Sequence, residues 1–189
     1  QGIAGRFIPA FTEAVKKLVV APGFEPGAQV GPLINAAARE SVHALVEDAV
    51  RRGARVAAGG GPLTEGPLAR GYFYAPTVLL DVTDDMRVCQ EEIFGPVAPV
   101  ATFASEDEVV RRANDTSFGL AAYFYTRDMA RLVRVSERLE YGLVGANDAA
   151  GYTHEIPFGG FKESGLGREG GHDGLEEYME VKSVVVNLA

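Results

Sequence analysis

The sequence predicts an α/β protein: a mostly parallel sheet with flanking helices, followed by a separate C-terminal strand suited to oligomerisation. Three observations carry this. Short β-branched and apolar runs alternate with helical patterns of roughly ten to fifteen residues, the order that builds parallel sheets. A glycine-rich stretch, residues 157–171 (PFGGFKESGLGREGG), follows the last strand of that alternation. Open parallel sheets bind ligands beyond the carboxyl ends of their strands. Residues 181–188 (VKSVVVNL) then form a lone run of high β-propensity, which leaves an open edge unless it joins a sheet. We expect it to pair with another subunit.

Each element has a local reason. In residues 6–20, Phe7, Phe11, Val15 and Leu18 fall on one helical stripe, and Pro9 places the helix start near Phe7. A chain that opens directly on such a helix suggests a preceding segment. Residues 21–34 are a proline- and glycine-rich loop. Asn35 is an N-cap for a helix over 36–52, whose face carries Val42, Leu45, Val46 and Ala49 and whose stop is Gly53. His43 sits at the rim of that face. A strand over 54–58 and a turn-rich connector over 59–71 follow. Residues 72–82 read as a strand with an edge or bulge at Pro76. Residues 83–96 are irregular and acidic, and 97–103 are a strand. Ser105 and Glu108 form a capping box that opens a helix to about Ala113. Residues 121–126 are a buried strand. Asp128 caps a helix that buries Met129, Leu132, Val133 and Leu139 and stops at Gly142. Residues 143–147 are a strand and 173–180 a short helix. The expected division is a domain over 1–172, with the short helix and terminal strand in 173–189.

Composition narrows the functional classes. The formal charge of −8 disfavours nucleic acid and anionic membrane as partners. Apolar runs are too short to span a bilayer, and residues 1–17 lack the pattern of a signal peptide. A single cysteine, Cys89, excludes an intrachain disulfide framework and fits a reducing compartment, hence a cytoplasmic location. His43, His154 and His172 show no metal-ligand spacing, so no metal is expected.

The residues alone assemble no catalytic set. Cys89 precedes Gln90, Glu91 and Glu92, and the carboxylates favour the unreactive thiol. Glu91 and Glu92 point opposite ways in an extended segment, so they cannot face one substrate as an acid–base pair. One of them remains able to accept hydrogen bonds from a sugar hydroxyl. The stretch 157–171 reads either as a surface loop or as a pocket edge lined by Phe158 and kept open by its glycines.

Several segments together are more specific. EEIFGPV at 91–97, ANDTSFGLAAYFYTRD at 113–128 and PFGGFKESGLGREGG at 157–171 resemble the aldehyde dehydrogenase superfamily, with GPLIN at 31–35 and the terminal EYMEVKSVVV in agreement. LEYGLVGAN and SGLGREG most resemble the succinate-semialdehyde dehydrogenase branch. The resemblance implies oxidation of an aldehyde to a carboxylic acid with NAD or NADP. A cysteine thiolate attacks the carbonyl, hydride leaves to the nicotinamide, and a glutamate activates the water that hydrolyses the thioester. It also implies that the nucleophile, the general base and most of the dinucleotide-binding domain lie upstream of this chain, and Cys89 does not match the nucleophile's motif. Carried over residue by residue, Glu92 matches the carboxylate that holds the nicotinamide-side ribose. Phe94 matches the aromatic near the nicotinamide, and Phe158 the wall of the substrate tunnel. Residues 149–155 match the loop that shapes substrate choice, where Tyr152 or Thr153 stands at the place of a hydroxyl that anchors the substrate's distal carboxylate, and His154 is a further donor. Residues 181–188 match the family's oligomerisation strand.

Two readings follow. In one, the chain is the C-terminal part of an aldehyde dehydrogenase and is inactive alone. In the other, it is a non-catalytic binding or assembly module. Gln1, not a native start residue, favours the first. With the dinucleotide-binding portion absent, Phe94 and its segment are expected to be uncovered.

Overall fold

The structure, a computed structural model, describes residues 2–149 and 153–188. The chain divides into two units, Gln1–Ala104 and Ser105–Ala189. The sequence does not announce this boundary, because a helix-capping serine looks the same within a domain as between two.

The first unit contains helices α1 (Ala4–Lys16) and α2 (Ala36–Arg51), strand β1 (Arg55–Ala58), a 3₁₀ turn (Gly66–Arg70), strand β2 (Thr77–Leu80), the single-turn helix α3 (Arg87–Gln90) and strand β3 (Val97–Val100). Its sheet runs β1-β2-β3. β2 and β3 are parallel, in register from Thr77 opposite Val97 to Leu80 opposite Val100. β1 is antiparallel to β2 and slips register between Val56 and Ala58. Pro99, which has no N–H to donate, sits in β3 at the sheet edge, where a missing donor is tolerated.

β2 is buried along its whole length. Alternate side chains serve opposite faces. Leu79 packs into the cluster of Val42, Leu45, Val46 and Ala49 from α2, with Tyr74, Val82, Met86 and Val88. Val78 and Leu80 join Ala58 beneath Ile8, Phe11 and Val15 of α1. The sheet is therefore covered on both faces by helices, which is why β2 reads as a continuous apolar run. Asn35 caps α2 as expected, its Oδ1 accepting from the Ala38 amide at 2.8 Å. Gly53, at φ +103°, takes the left-handed stop.

Several expectations shift. α1 begins at Ala4 rather than Phe7, with Pro9 inside it. Its buried face is Ile8, Phe11, Thr12 and Val15. Phe7 and Leu18 are exposed, and Phe7 stacks on Phe11 with ring centroids 5.4 Å apart. The strand over 72–82 contracts to four residues, and the irregular segment 83–96 contains α3.

The second unit holds α4 (Glu106–Asn114), β4 (Phe118–Gly119), β5 (Ala121–Phe124), α5 (Met129–Arg138), β6 (Leu143–Ala146), β7 (Phe161–Lys162) and α6 (Asp173–Glu176). β5 and β6 are parallel, from Ala121 opposite Leu143 to Phe124 opposite Ala146. β4 and β7 form a two-residue antiparallel pair. Val110 of α4, with Val135 and Leu139 from α5 and its C-cap, forms the core, packed by Ala122, Phe124, Tyr141 and Val144. Ser105 and Asp128 cap their helices as read from sequence. On α5 the buried side is Val135 and Leu139, whereas Met129 and Val133 are exposed. Gly142 is not the helix stop, since α5 ends at Arg138.

Residues 181–188 are exposed and form no strand. A strand exists only within a hydrogen-bonded ladder, and among the described residues no ladder includes this segment.

Glu106 ties α4 to α5. It accepts from Arg134 Nε at 2.8 Å and Nη2 at 3.0 Å, and from Arg131 Nε at 2.9 Å. These arginines, Arg134 first, hold its carboxyl at about 2. A lowered acid pKa stabilises the fold fully above the ordinary carboxylate range, and that contribution disappears as pH falls toward the lowered value. Glu106→Gln is therefore expected to lower the melting temperature modestly at neutral pH, since the pair is solvent-screened. The difference from the parent should close between the ordinary carboxylate range and about pH 2. A gap that stays constant down to that pH, followed by circular dichroism, would contradict this.

Candidate functional site

The EEIFGPV segment connects α3 to β3, with regular strand beginning only at Val97, and three of its residues fix it. Glu91 is bound by Arg87, one turn back on α3: Nε to Oε1 at 2.6 Å and Nη2 to Oε2 at 2.9 Å. The Arg87 guanidinium holds the Glu91 carboxyl below its usual range. Ile93 packs against the core cluster beneath α2. Gly95 crosses α2 so closely that a Cβ there would meet Val42 Cγ2 at 2.6 Å.

Between these anchors, Glu92 and Phe94 are turned outward. Among the described residues the Glu92 carboxylate has no hydrogen-bond or ion-pair partner, and the residue is exposed. Phe94 is 82% exposed and takes φ +47°, an unusual conformation for an aromatic residue. Exposure of Phe94 agrees with the expectation that this surface is uncovered. The sequence left open which of the two carboxylates is available. The structure engages Glu91 and leaves Glu92 able to accept from hydroxyl groups. The missed signal was Arg87, placed four residues before Glu91.

Cys89 lies on α3 and is exposed. Its backbone amide donates to the Met86 carbonyl. Among the described residues no group of histidine, cysteine and carboxylate side chains has the arrangement of a metal site, and no helix is long and apolar enough to cross a membrane.

In the second unit, Phe158 is half-buried, and its amide and carbonyl both bond to Glu169, each at 2.7 Å. The glycine-rich stretch folds back on itself and lines an open cleft of about 580 Å³, with Phe158, Leu120, Arg168 and Tyr178 in its walls. Both sequence readings of the stretch thus hold in part: it is a surface loop, and it edges a cleft.

Three polar side chains that the sequence did not single out for support hold this loop. Lys162, at φ +54°, donates Nζ to the carbonyls of Asn114 at 2.8 Å and Thr116 at 3.1 Å and pairs with Glu140 at 2.7 Å. Arg168 donates Nη1 to the carbonyls of Gly160 and Gly167 and lies over the Phe161 ring. Ser164 Oγ accepts from the Gly119 amide at 2.9 Å. The partners of Lys162 and Ser164 lie more than twenty residues away in sequence, so no local pattern reveals them.

Thr153 is exposed, and its carbonyl accepts from the Ile156 amide at 3.2 Å. His154 Nε2 lies 3.0 Å from a Glu155 carboxylate oxygen, and both residues face solvent. Tyr152 lies outside the described residues.

The model of the aldehyde dehydrogenase family matches residues 1–184. The mitochondrial succinate-semialdehyde dehydrogenase of Arabidopsis thaliana is 51% identical over 184 residues, covering 97% of this chain and 34% of that protein. The 3-sulfolactaldehyde dehydrogenase of Pseudomonas putida is 50% identical over 184 residues, covering 97% of this chain and 37% of that protein. A crystal structure described as an E. coli NADP-dependent enzyme has a TM-score of 0.92 and 46% identity, covering 96% of this chain and 37% of that one. The chain thus spans little more than a third of the length of these relatives.

Proposed function

The chain belongs to the aldehyde dehydrogenase family, and from that premise we propose that it is the C-terminal part of an NAD(P)-dependent enzyme oxidising a small aldehyde with an anionic tail, succinate semialdehyde first. The observation that carries this is the EEIFGPV segment. It presents an unpartnered carboxylate and an exposed aromatic from a backbone anchored on both sides. A carboxylate accepts hydrogen bonds from ribose hydroxyls more strongly than a neutral side chain does. Glu92 would hold the nicotinamide-side ribose and Phe94 would pack near the nicotinamide. The exposed, unengaged carboxylate fits that role. When bound, the dinucleotide supplies the acceptor for hydride.

In the second unit, Phe158 would form an apolar wall for the aldehyde chain. Thr153, with Tyr152 as the neighbouring alternative, would donate a hydroxyl to the distal anion. The anionic groups in the names of both relatives, a carboxylate and a sulfonate, support a donor of this kind. The thiolate and the base of the reaction belong, on this reading, to the remainder of a longer enzyme. The chain by itself is then inactive. Residues 181–188 would complete a sheet in a second subunit of a homo-oligomer, and a cytoplasmic location accords with a single cysteine.

The test is Glu92→Gln in the intact enzyme. The KM for NAD(P)+ is expected to rise roughly ten- to a hundredfold, as loss of charge-assisted hydrogen bonds implies, while kcat at saturating cofactor changes far less. The 189-residue chain alone should give no aldehyde-dependent NAD(P)H. An unaltered cofactor KM in the variant, or turnover by the chain alone, would overturn the assignment.

A further inference from the structure

Two carboxylates stand side by side at Glu91 and Glu92, and the fold engages one and leaves the other open. Arg87 makes the difference. Its neighbours in sequence, Met86 and Val88, are both buried in the core cluster beneath α2, so the guanidinium rises from a fixed point on the chain. The Glu91 amide donates to the Arg87 carbonyl at 2.8 Å. Arg87 Nε and Nη2 reach the two Glu91 carboxylate oxygens at 2.6 and 2.9 Å. Backbone and side chain thus bind the same pair of residues together. One planar fork occupies both oxygens, which fixes the orientation of Glu91 as well as its distance.

Two residues on, Ile93 packs into the core cluster. Glu92 is therefore the single residue between two held neighbours. Glu91 is held by polar bonds at the surface, and Ile93 by apolar contact within. A carboxylate presented in this way is aimed before any ligand arrives, and less ordering remains to oppose binding. Without the fork, Glu91 becomes a second free carboxylate beside the first, and the Glu92 backbone loses one of its two restraints. Another polar contact of this turn does not replace it. Gln90 Nε2 donates to the Asp84 carbonyl at 3.2 Å, tying the turn backward along the chain and not forward to Glu92.

We propose that Arg87 is a positioning residue for cofactor binding: by clamping Glu91 it presents Glu92 to the ribose hydroxyls of the dinucleotide. This rests on the reading of Glu92 as the ribose-holding carboxylate. Arg87 acts through Glu91 and itself touches no cofactor. The pair is half-exposed, so its contribution to global stability is small and its effect is one of aim.

The experiment titrates NAD+ and NADP+ calorimetrically into the intact enzyme and its variants. Binding is read without aldehyde, so the outcome does not depend on which aldehyde the enzyme takes. Arg87→Met keeps the apolar stem and removes the fork. It should raise the Kd of the tighter-binding dinucleotide roughly three- to tenfold, the scale of a solvent-screened bidentate pair. Glu91→Gln should do the same, and it carries the reading should Arg87→Met fail to fold. Arg87→Lys, which keeps the charge without the fork, should fall between Arg87→Met and the parent. The decisive variant combines Arg87→Met with Glu92→Gln. It should bind within about twofold of Glu92→Gln alone, because Arg87 works through that carboxylate. An arginine with a merely structural role would add its own loss, and additive losses would overturn the proposal. So would a parent-like Kd in Arg87→Met or Glu91→Gln while Glu92→Gln weakens binding, an outcome that leaves the ribose assignment standing. A Glu92→Gln enzyme that binds the dinucleotide as tightly as the parent would overturn both.

Discussion

Replacing Gly142 by alanine is expected to destabilise the second unit by about 3 kcal/mol or more, at the upper end of overpacking costs. A Cβ at this position would lie 1.7 Å from the Gly159 carbonyl oxygen, 2.8 Å from its carbon and 3.3 Å from Gly160 Cα. All three are backbone atoms, so no flexible side chain can swing aside. The Gly142 amide also donates to the Gly119 carbonyl at 3.0 Å, which prevents the residue from backing away. Gly142 is the crossing point of β4, the approach to β6 and the glycine-rich loop that carries Phe158. Gly165→Ala is the control. Gly165 has φ +116° but nothing within 4 Å of an added methyl, so only backbone strain of about 1–3 kcal/mol is added, with no collision. Urea unfolding of both variants separates the two causes. A Gly142→Ala chain as stable as the parent would show that the crossing has slack.

The second large effect is expected at Leu79. Leu79→Ala should cost about 2–5 kcal/mol, the range for emptying a buried leucine site. The upper part of that range applies because collapse is hindered. Leu79 is fully buried and lies on the central strand β2, with β1 and β3 bonded on either side and α2 above. Phe24→Ala, at a fully exposed ring, should change stability by less than about 0.5 kcal/mol. Equal effects at the two positions would refute the assignment of the core. Ile93 packs into the same cluster, so the loss at Leu79 should also loosen the segment that presents Glu92 and Phe94.

The helix caps were legible because capping is local chemistry. Asn35, Ser105 and Asp128 each accept from an amide three residues ahead, as their side chains and positions imply. The face of α2 was legible for a related reason: its apolar residues are consecutive in helical spacing and all find the core. The face of α1 was not. Its sequence offers apolar residues around much of the helix, and the position of the sheet selects Ile8 over Phe7 and buries Thr12 as well. Met129 and Val133 mislead in the same way, since an apolar residue on a helix records no direction. The reversed strand β1 and the short β4–β7 pair depend on partners far along the chain, and periodicity does not report them.

For the candidate site, the sequence pointed to residues but not to what supports them. Phe94 and Thr153 entered through the family resemblance, whereas Phe158 was already read as a pocket edge and Glu92 as one of two carboxylates able to accept from a sugar hydroxyl. The Arg87–Glu91 pair, the burial of Ile93 and the three bonds of Lys162 are tertiary facts. The terminal segment 181–188 marks the opposite limit. Its propensity was plain, but pairing is a property of two segments, and among the described residues no ladder includes this one.

The division at Ala104 has a consequence for biosynthesis. Every side chain in the two cores of the first unit comes from residues before that boundary. A translating ribosome therefore delivers everything needed to bury them before the later helices emerge, and nascent-chain collapse of that half need not wait for termination. Its parallel pair β2–β3 closes over a short stretch of chain, which keeps the loop entropy of that early step small.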